Sequence, residues 1–215
     1  MKDEILQTSL NQFLKYGIRE MSIKKLVAPM GISTKTVYKY FKNKEELLEQ
    51  ALHFFYAQQY QELEKLSSDQ SAVSLLLDVW YMAAEREYKV TNVFFHDLHY
   101  YYPDLENKIE AAISKKFHKK FIQIIQQGIT DGVFRSEINP EVVMEGIYIL
   151  YSVTVRSEKM KRFRADPLNI LLNTIVIYIR GFCTQAGIKE LDKHIKTFVS
   201  FGKAKKVKQK MTNKV

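Results

Sequence analysis

The chain has 215 residues and a single cysteine, Cys183, so it forms no internal disulfide and holds no multi-cysteine zinc site. Cys183 lies in an apolar pattern and reads as a small core residue. Proline and glycine are scarce, four and eight, and almost all fall between periodic segments, which points to an all-α chain. Long apolar runs are missing as well. The richest, around 147–155 and 168–179, fall short of the roughly 20 residues a bilayer helix requires, and polar residues interrupt the second. No membrane partner is therefore expected. The opening MKDEILQTSL has acids where a signal peptide would place its apolar core, so the expected location is cytoplasmic. No nucleophile–base grouping with recognisable local spacing occurs, so nothing speaks for an enzyme, and no cofactor is assigned.

Acids are also missing from two stretches. The net charge is +9, yet residues 22–44 carry six lysines and no acid, and residues 201–215 carry six more with no acid. The remaining segments are together slightly negative. Charge concentrated in two blocks favours contact with a polyanion over a generally basic protein.

What is present is helical periodicity, with 46% apolar residues supplying one good core or two small ones. A first helix spans about 3–16, with Leu6, Leu10, Phe13 and Leu14 on one stripe and Gly17 as its stop. Ser22 caps a short second helix with Ile23, Leu26, Val27 and Met30 at i, i+3, i+4, i+7, and Gly31 ends it. Ser33 caps a third helix of barely two turns, turning Val37 and Phe41 inward. Asn43 caps a long fourth helix, and Glu46 completes a capping box. Further helices are expected over 70–88, 91–101, 104–128, 140–158 and 167–186, with Pro103 opening one of them and Gly128 and Gly132 breaking the pattern after it. The tail from Gly202 onward reads as disordered.

Two short capped helices separated by MGIS form a helix-turn-helix pattern. With the apolar positions buried against the first helix, residues 33–40 expose Thr34, Lys35, Thr36, Tyr38, Lys39 and Tyr40. That face suits a DNA duplex. Lysines neutralise phosphates, hydroxyls reach phosphate oxygens or base edges, and methyl groups or rings touch thymine methyls. Lys44, at a helix N-terminus with free N–H groups, is placed as a backbone clamp.

FLKYGIREMSIKKLV, followed by GISTKTVYKYFKNKEEL with its Tyr38, Phe41, Lys44, Leu47 string, makes residues 1–52 resemble the DNA-binding domain of TetR-type (tetracycline-repressor-like) transcriptional regulators. The resemblance implies groove contacts from Thr34, Lys35, Thr36 and Lys39, with Ser33 beside them at the cap. It implies phosphate contacts from Ser22, Lys24, Tyr38, Tyr40 and Lys44; packing roles for Thr36 or Tyr40 stand as an alternative. Pro29 departs from the family, which has a helix former there, and removes one backbone hydrogen bond.

Beyond residue 55 the resemblance is one of architecture only, implying a diverged helical domain that binds a small molecule and dimerises. The chain there is rich in rings. Aromatic stripes at helical spacing are usually core, but this many can also wall an apolar cleft, for which Trp80, Phe95, His99, Phe117, Phe121 and Tyr148 are the candidates. An apolar or aromatic effector is expected. His96, Asp97 and His99 share a stretch that could hold a transition metal with His118, but solvated or hydrogen-bonded histidines are favoured and no metal is assigned. A homodimer follows from the two-fold symmetry of palindromic operators. Its expected contacts come from the last two helices: Tyr148, Tyr151, Val155, Ile170, Thr174, Ile177, Tyr178 and Cys183, with Gly146 and Gly181 allowing close approach.

The expected organisation is a helix-turn-helix domain over 1–52, a ligand-binding and dimerisation domain over 53–201, and a basic tail over 202–215. The expected function is a ligand-responsive repressor of a palindromic DNA operator, released by a small effector. A nonspecific DNA-coating protein, or a helical ligand binder without a regulatory role, are the alternatives.

Overall fold

The computed structural model describes the backbone of residues 1–66, 70–155 and 166–212, and side chains up to Phe198 except that of Val155. Its described residues form helices and one isolated antiparallel bridge, Phe134 to Cys183, with no strand. The helices are α1 (Lys2–Tyr16), α2 (Ile23–Val27), a 3₁₀ turn (Ala28–Met30), α3 (Thr34–Tyr38), α4 (Lys44–Leu66), α5 (Ala72–Glu87), α6 (Asn92–Tyr101), α7 (Pro103–Thr130), α8 (Pro140–Val155), α9 (Pro167–Leu172), α10 (Ile175–Phe182) and α11 (Gln185–Thr212).

Local chemistry sets the N-terminal boundaries. The Ser22 and Ser33 side chains accept the N–H groups of Lys25 and Thr36, as Ser caps should. Pro29 falls inside the 3₁₀ turn, so α2 ends at Val27 and the chain tightens to Gly31, which adopts left-handed φ 65. Asn43 caps α4 by accepting from Glu46 N–H at 2.8 Å. The reciprocal half of the capping box is shifted by one residue, because Glu46 accepts from Lys42 N–H at 2.6 Å rather than from Asn43.

Two apolar cores result. The first joins α1 to α3 and the start of α4 through Leu10, Phe13, Leu26, Val37, Phe41 and Leu47, and is closed by Val90, Phe94, Leu98, Leu105 and Ile109. The helix-turn-helix core is thus not made by residues 1–52 alone; α6 and the first turns of α7 form one of its walls. Each such buried side chain contributes about 1.5–3 kcal/mol. The second core is centred on α5, apolar on nearly every side, and is enclosed by α7, α8, α9 and α10, with Leu191 of α11. His194 on α11 meets the buried Asp78 of α5 at 2.5 Å, and Arg180 on α10 pairs with Asp192 on α11.

Three sequence expectations change. Gly128 does not end its helix; α7 runs to Thr130 and Gly128 makes room for the Phe134 ring, which a Cβ would meet at 2.2 Å. The helix expected over 167–186 is split at Asn173–Thr174. There the Asn173 amide and the Thr174 hydroxyl bond back to the carbonyls of Asn169 and Ile170, competing with helix propagation. A second break at Cys183 is extended and bridges to Phe134, with Arg135 N–H donating to Phe182 and Thr184 N–H to Val133. The helical backbone of α11 continues into the stretch expected as a disordered tail; side chains from residue 199 onward lie outside the described residues.

Candidate nucleic-acid interface and effector cavity

On α3, Val37 is buried against α1 and α2, which turns the opposite face outward. Lys24, Ser22, Ser33, Lys35, Tyr38, Lys39 and Tyr40 are exposed, while Thr34 and Thr36 are half-buried. The Ser33 and Thr36 hydroxyls lie 3.1 Å apart, so Thr36 is partly committed to the cap. The exposed members of the sequence-derived DNA set lie in a stretch without an acid.

Lys44 stands apart. Its ammonium is half-buried and donates to the carbonyls of Ile18 at 2.7 Å and Arg19 at 3.3 Å. Burial lowers its pKa, against the opposing pull of the Asp97 and Glu20 carboxylates. Two of its three donors thus hold the α1–α2 loop, leaving one for a phosphate.

A cavity of about 710 Å³ opens between α4, α5, α6, α7 and α8. Trp80, Phe95, Phe117, Phe121 and Tyr148, five of the six residues expected from the sequence, line it. Trp80 stacks on Phe121 at 5.0 Å between centroids and tilts against Tyr151 at 4.8 Å. Its buried indole N–H has no hydrogen-bond partner among the described residues, which leaves a donor for a ligand. His99 does not line the cavity. It is exposed and bonded to Glu106 at 3.0 Å. Glu141 of α8 takes His118 at 2.5 Å, and His96 lies against the Tyr100 ring. Among the described residues no group of His, Cys, Asp and Glu gathers to hold a metal.

Sequence reading missed the polar lining: Glu62 paired with Arg86, Glu87, Glu106, Glu110 and Glu145. The signal was present on α7. Glu106 and Glu110 are one turn apart beside the Ile109, Ile113, Phe117 stripe, so apolar and acidic positions share the face turned to α8.

The interface expectation requires correction. Tyr151 and Cys183 are buried in the chain's own second core, Ile170 is buried as well, and Tyr151 lines the cavity. Gly146 admits the Tyr178 hydroxyl of the same chain, since a Cβ there would lie 2.4 Å from it. Thr174 is half-buried and bonded to Ile170, and the Val155 side chain lies outside the described residues. Tyr148 and Ile177 are exposed as expected. The same surface shows Val142, Ile149 and Val153 of α8, at 66%, 54% and 62% exposure, as one apolar stripe.

Comparison with known proteins bears first on the N-terminal domain. Residues 5–51 match the model of bacterial regulatory proteins, tetR family. The match is confined to the N-terminal domain, which is similar to that of the tetR family. The HTH-type transcriptional repressor KstR2 of Mycolicibacterium smegmatis is 25% identical over 160 residues, covering 72% of this chain and 78% of that one. A TetR transcription regulator from Haloarcula marismortui shares the fold at a TM-score of 0.70 with 16% identity, covering 85% of this chain and 98% of that one. FadR from Bacillus subtilis, solved with stearoyl-CoA, does so at 0.64 with 20% identity, covering 80% and 94%. The matched residues include α3. The chain's relatives are transcriptional regulators rather than enzymes, and no helix among the described residues is long and apolar enough to cross a membrane.

Proposed function

We propose that the protein is a cytoplasmic, homodimeric transcriptional repressor that reads a palindromic operator and is released by a small effector with an apolar or aromatic body. The observation that carries this reading is the acid-free α3 surface, with Lys35, Tyr38, Lys39 and Tyr40 exposed. Lysines there would neutralise phosphates, and Thr34, Lys35 and Lys39 would address base edges. Ser22, Lys24, Tyr38, Tyr40 and one donor of Lys44 would hold the backbone.

The division of labour follows the sequence: residues 1–52 for DNA, 53–201 for effector and partner, and 202–215 as a basic tail. The dimer face is assigned to α8 and α10, where Val142, Ile149, Val153 and Ile177 are exposed apolar side chains. The effector is assigned to the cavity, where the unpartnered Trp80 N–H offers a hydrogen bond. Phe94, Phe95 and Leu98 of α6 and Leu52 of α4 line that cavity, and Phe94, Leu98 and Leu52 belong also to the helix-turn-helix core. An effector that rearranges them would shift both helices against α1 and alter the spacing of the two recognition helices. Complete switching from 1:99 to 99:1 needs about 5.5 kcal/mol of differential affinity.

Footprinting on the DNA upstream of the protein's own reading frame tests the proposal. A single protected site with two-fold symmetry, half-sites about 34 Å apart, is expected. Uniform protection at low salt that vanishes at moderate salt would favour a nonspecific coating protein instead.

A further inference from the structure

The polar lining of the cavity is strongly acidic. Glu62, Glu87, Glu106, Glu110 and Glu145 border it against one guanidinium, Arg86. Arg86 is already paired with Glu62, and His118, the other basic lining group, is turned to Glu141. The five lysines of α7, Lys108, Lys115, Lys116, Lys119 and Lys120, are not part of the wall, and Lys108 is paired with Glu49. Lys116 instead lies 6.0 Å from the Tyr60 ring centroid.

The acids and the rings reinforce each other. Glu110 accepts from the Tyr148 hydroxyl at 3.1 Å, bringing a carboxylate of α7 to the ring of α8. Glu145 lies three residues before Tyr148 and so on the same helical face. Beyond them the cavity is walled by Phe117, Phe121 and Trp80, whose ring faces carry the negative side of the aromatic quadrupole. Carboxylates and ring faces around one cavity favour a positive charge and repel a negative one.

We propose that the effector is a lipophilic organic cation, an amine or quaternary ammonium or phosphonium ion. Its charge sits between Glu110, Glu145 and the Tyr148 ring, and its apolar body lies against Trp80 and Phe121. A polyanionic effector such as a CoA thioester would meet Glu110 and Glu145, while the lining cations Arg86 and His118 are each paired with an acid. The inference rests on the cavity being the effector site.

Trp80 is the chain's single tryptophan and lines the cavity, so its fluorescence reports occupancy directly. The probes are tetraphenylphosphonium, the similarly shaped anion tetraphenylborate, and neutral triphenylphosphine oxide, titrated at moderate salt. The cation is expected to bind about tenfold more tightly than the neutral probe, equivalent to about 1.4 kcal/mol, with the borate weakest. In a Glu110→Gln, Glu145→Gln double variant the advantage of the cation over the neutral probe should fall to about threefold or less. Both carboxylates are exposed, so the fold should tolerate the change. If the neutral probe or the borate binds as tightly as the cation, or the double variant keeps the full preference, the charge assignment is overturned while the cavity stands as an effector site. If none of the three alters Trp80 fluorescence, the effector assignment of the cavity falls with it.

Discussion

Asp97 on α6 accepts the backbone N–H groups of Ile18 and Arg19 with one carboxylate oxygen, at 2.8 Å each. From the other side Lys44 on α4 donates to the carbonyls of the same two residues. The loop between α1 and α2 is thereby pinned between a helix that lines the cavity and a helix that follows the recognition helix. Gly17 makes the approach possible. Its φ is 85, and a Cβ there would lie 2.6 Å from Val93 Cγ1 and 2.9 Å from Asp97 Oδ2.

Asp97→Ala removes the acceptor and leaves two N–H groups in a largely buried site. Urea unfolding should show a loss of about 2–3 kcal/mol. Because the tie joins the cavity wall to the DNA-binding helices, the variant should also respond less to effector in a DNA-release assay. Asp97→Asn, which retains one acceptor oxygen, should fall between the two. Wild-type stability and release in Asp97→Ala would remove this contact from the coupling route.

Ile177 is 61% exposed on α10 beside the stripe of α8. Ile177→Glu should convert the proposed dimer to a monomer in sedimentation equilibrium without lowering the thermal midpoint, since an exposed side chain carries little of the chain's own stability. Operator affinity should fall with it, because a monomer engages one half-site. A variant that sediments as an unchanged dimer would move the interface elsewhere.

Cys183 is held in the second core, and burial pushes its thiol up to about 11 from an ordinary 9.0. At pH 8 the native thiol should react with a disulfide reagent about a hundredfold more slowly than the urea-unfolded chain, through its smaller thiolate fraction alone. The sign for stability follows from the same shift. Between about 9 and about 11 the folded chain holds a proton that the unfolded chain has lost, so this contribution is complete below about 9 and declines towards about 11. Cys183→Ser should flatten that decline in urea titrations across the interval; an identical pH profile would place the thiol in a wetter site.

Much of this was legible in the sequence because the signals are local. Ser22, Ser33 and Asn43 cap the helices they announce, and the spacing of Val37 and Phe41 fixes which face of α3 turns outward. Five of the six residues expected at the cavity line it, recognisable as rings in excess of one helix's needs. What escaped depended on tertiary contact. Apolar periodicity cannot tell a side chain buried in its own chain from one buried against a second copy, so Tyr151, Ile170 and Cys183 were expected as interface contacts although the chain buries them itself. Lys44 looked like a free surface cation, since the carbonyls that hold it lie 25 and 26 residues away. The break at Asn173–Thr174 is written in side-chain to backbone bonds that compete with a strongly apolar helical pattern.

The outward face of α3 is the centre of the account, and Lys35 is its most direct probe. Lys35→Ala should be titrated by fluorescence anisotropy against the footprinted operator and a scrambled duplex over a series of salt concentrations, with unfolding curves in parallel. The account predicts unchanged stability, operator affinity lower by about 1–3 kcal/mol, and a smaller preference for operator over scrambled duplex. Operator affinity and preference identical to the unsubstituted chain would contradict it.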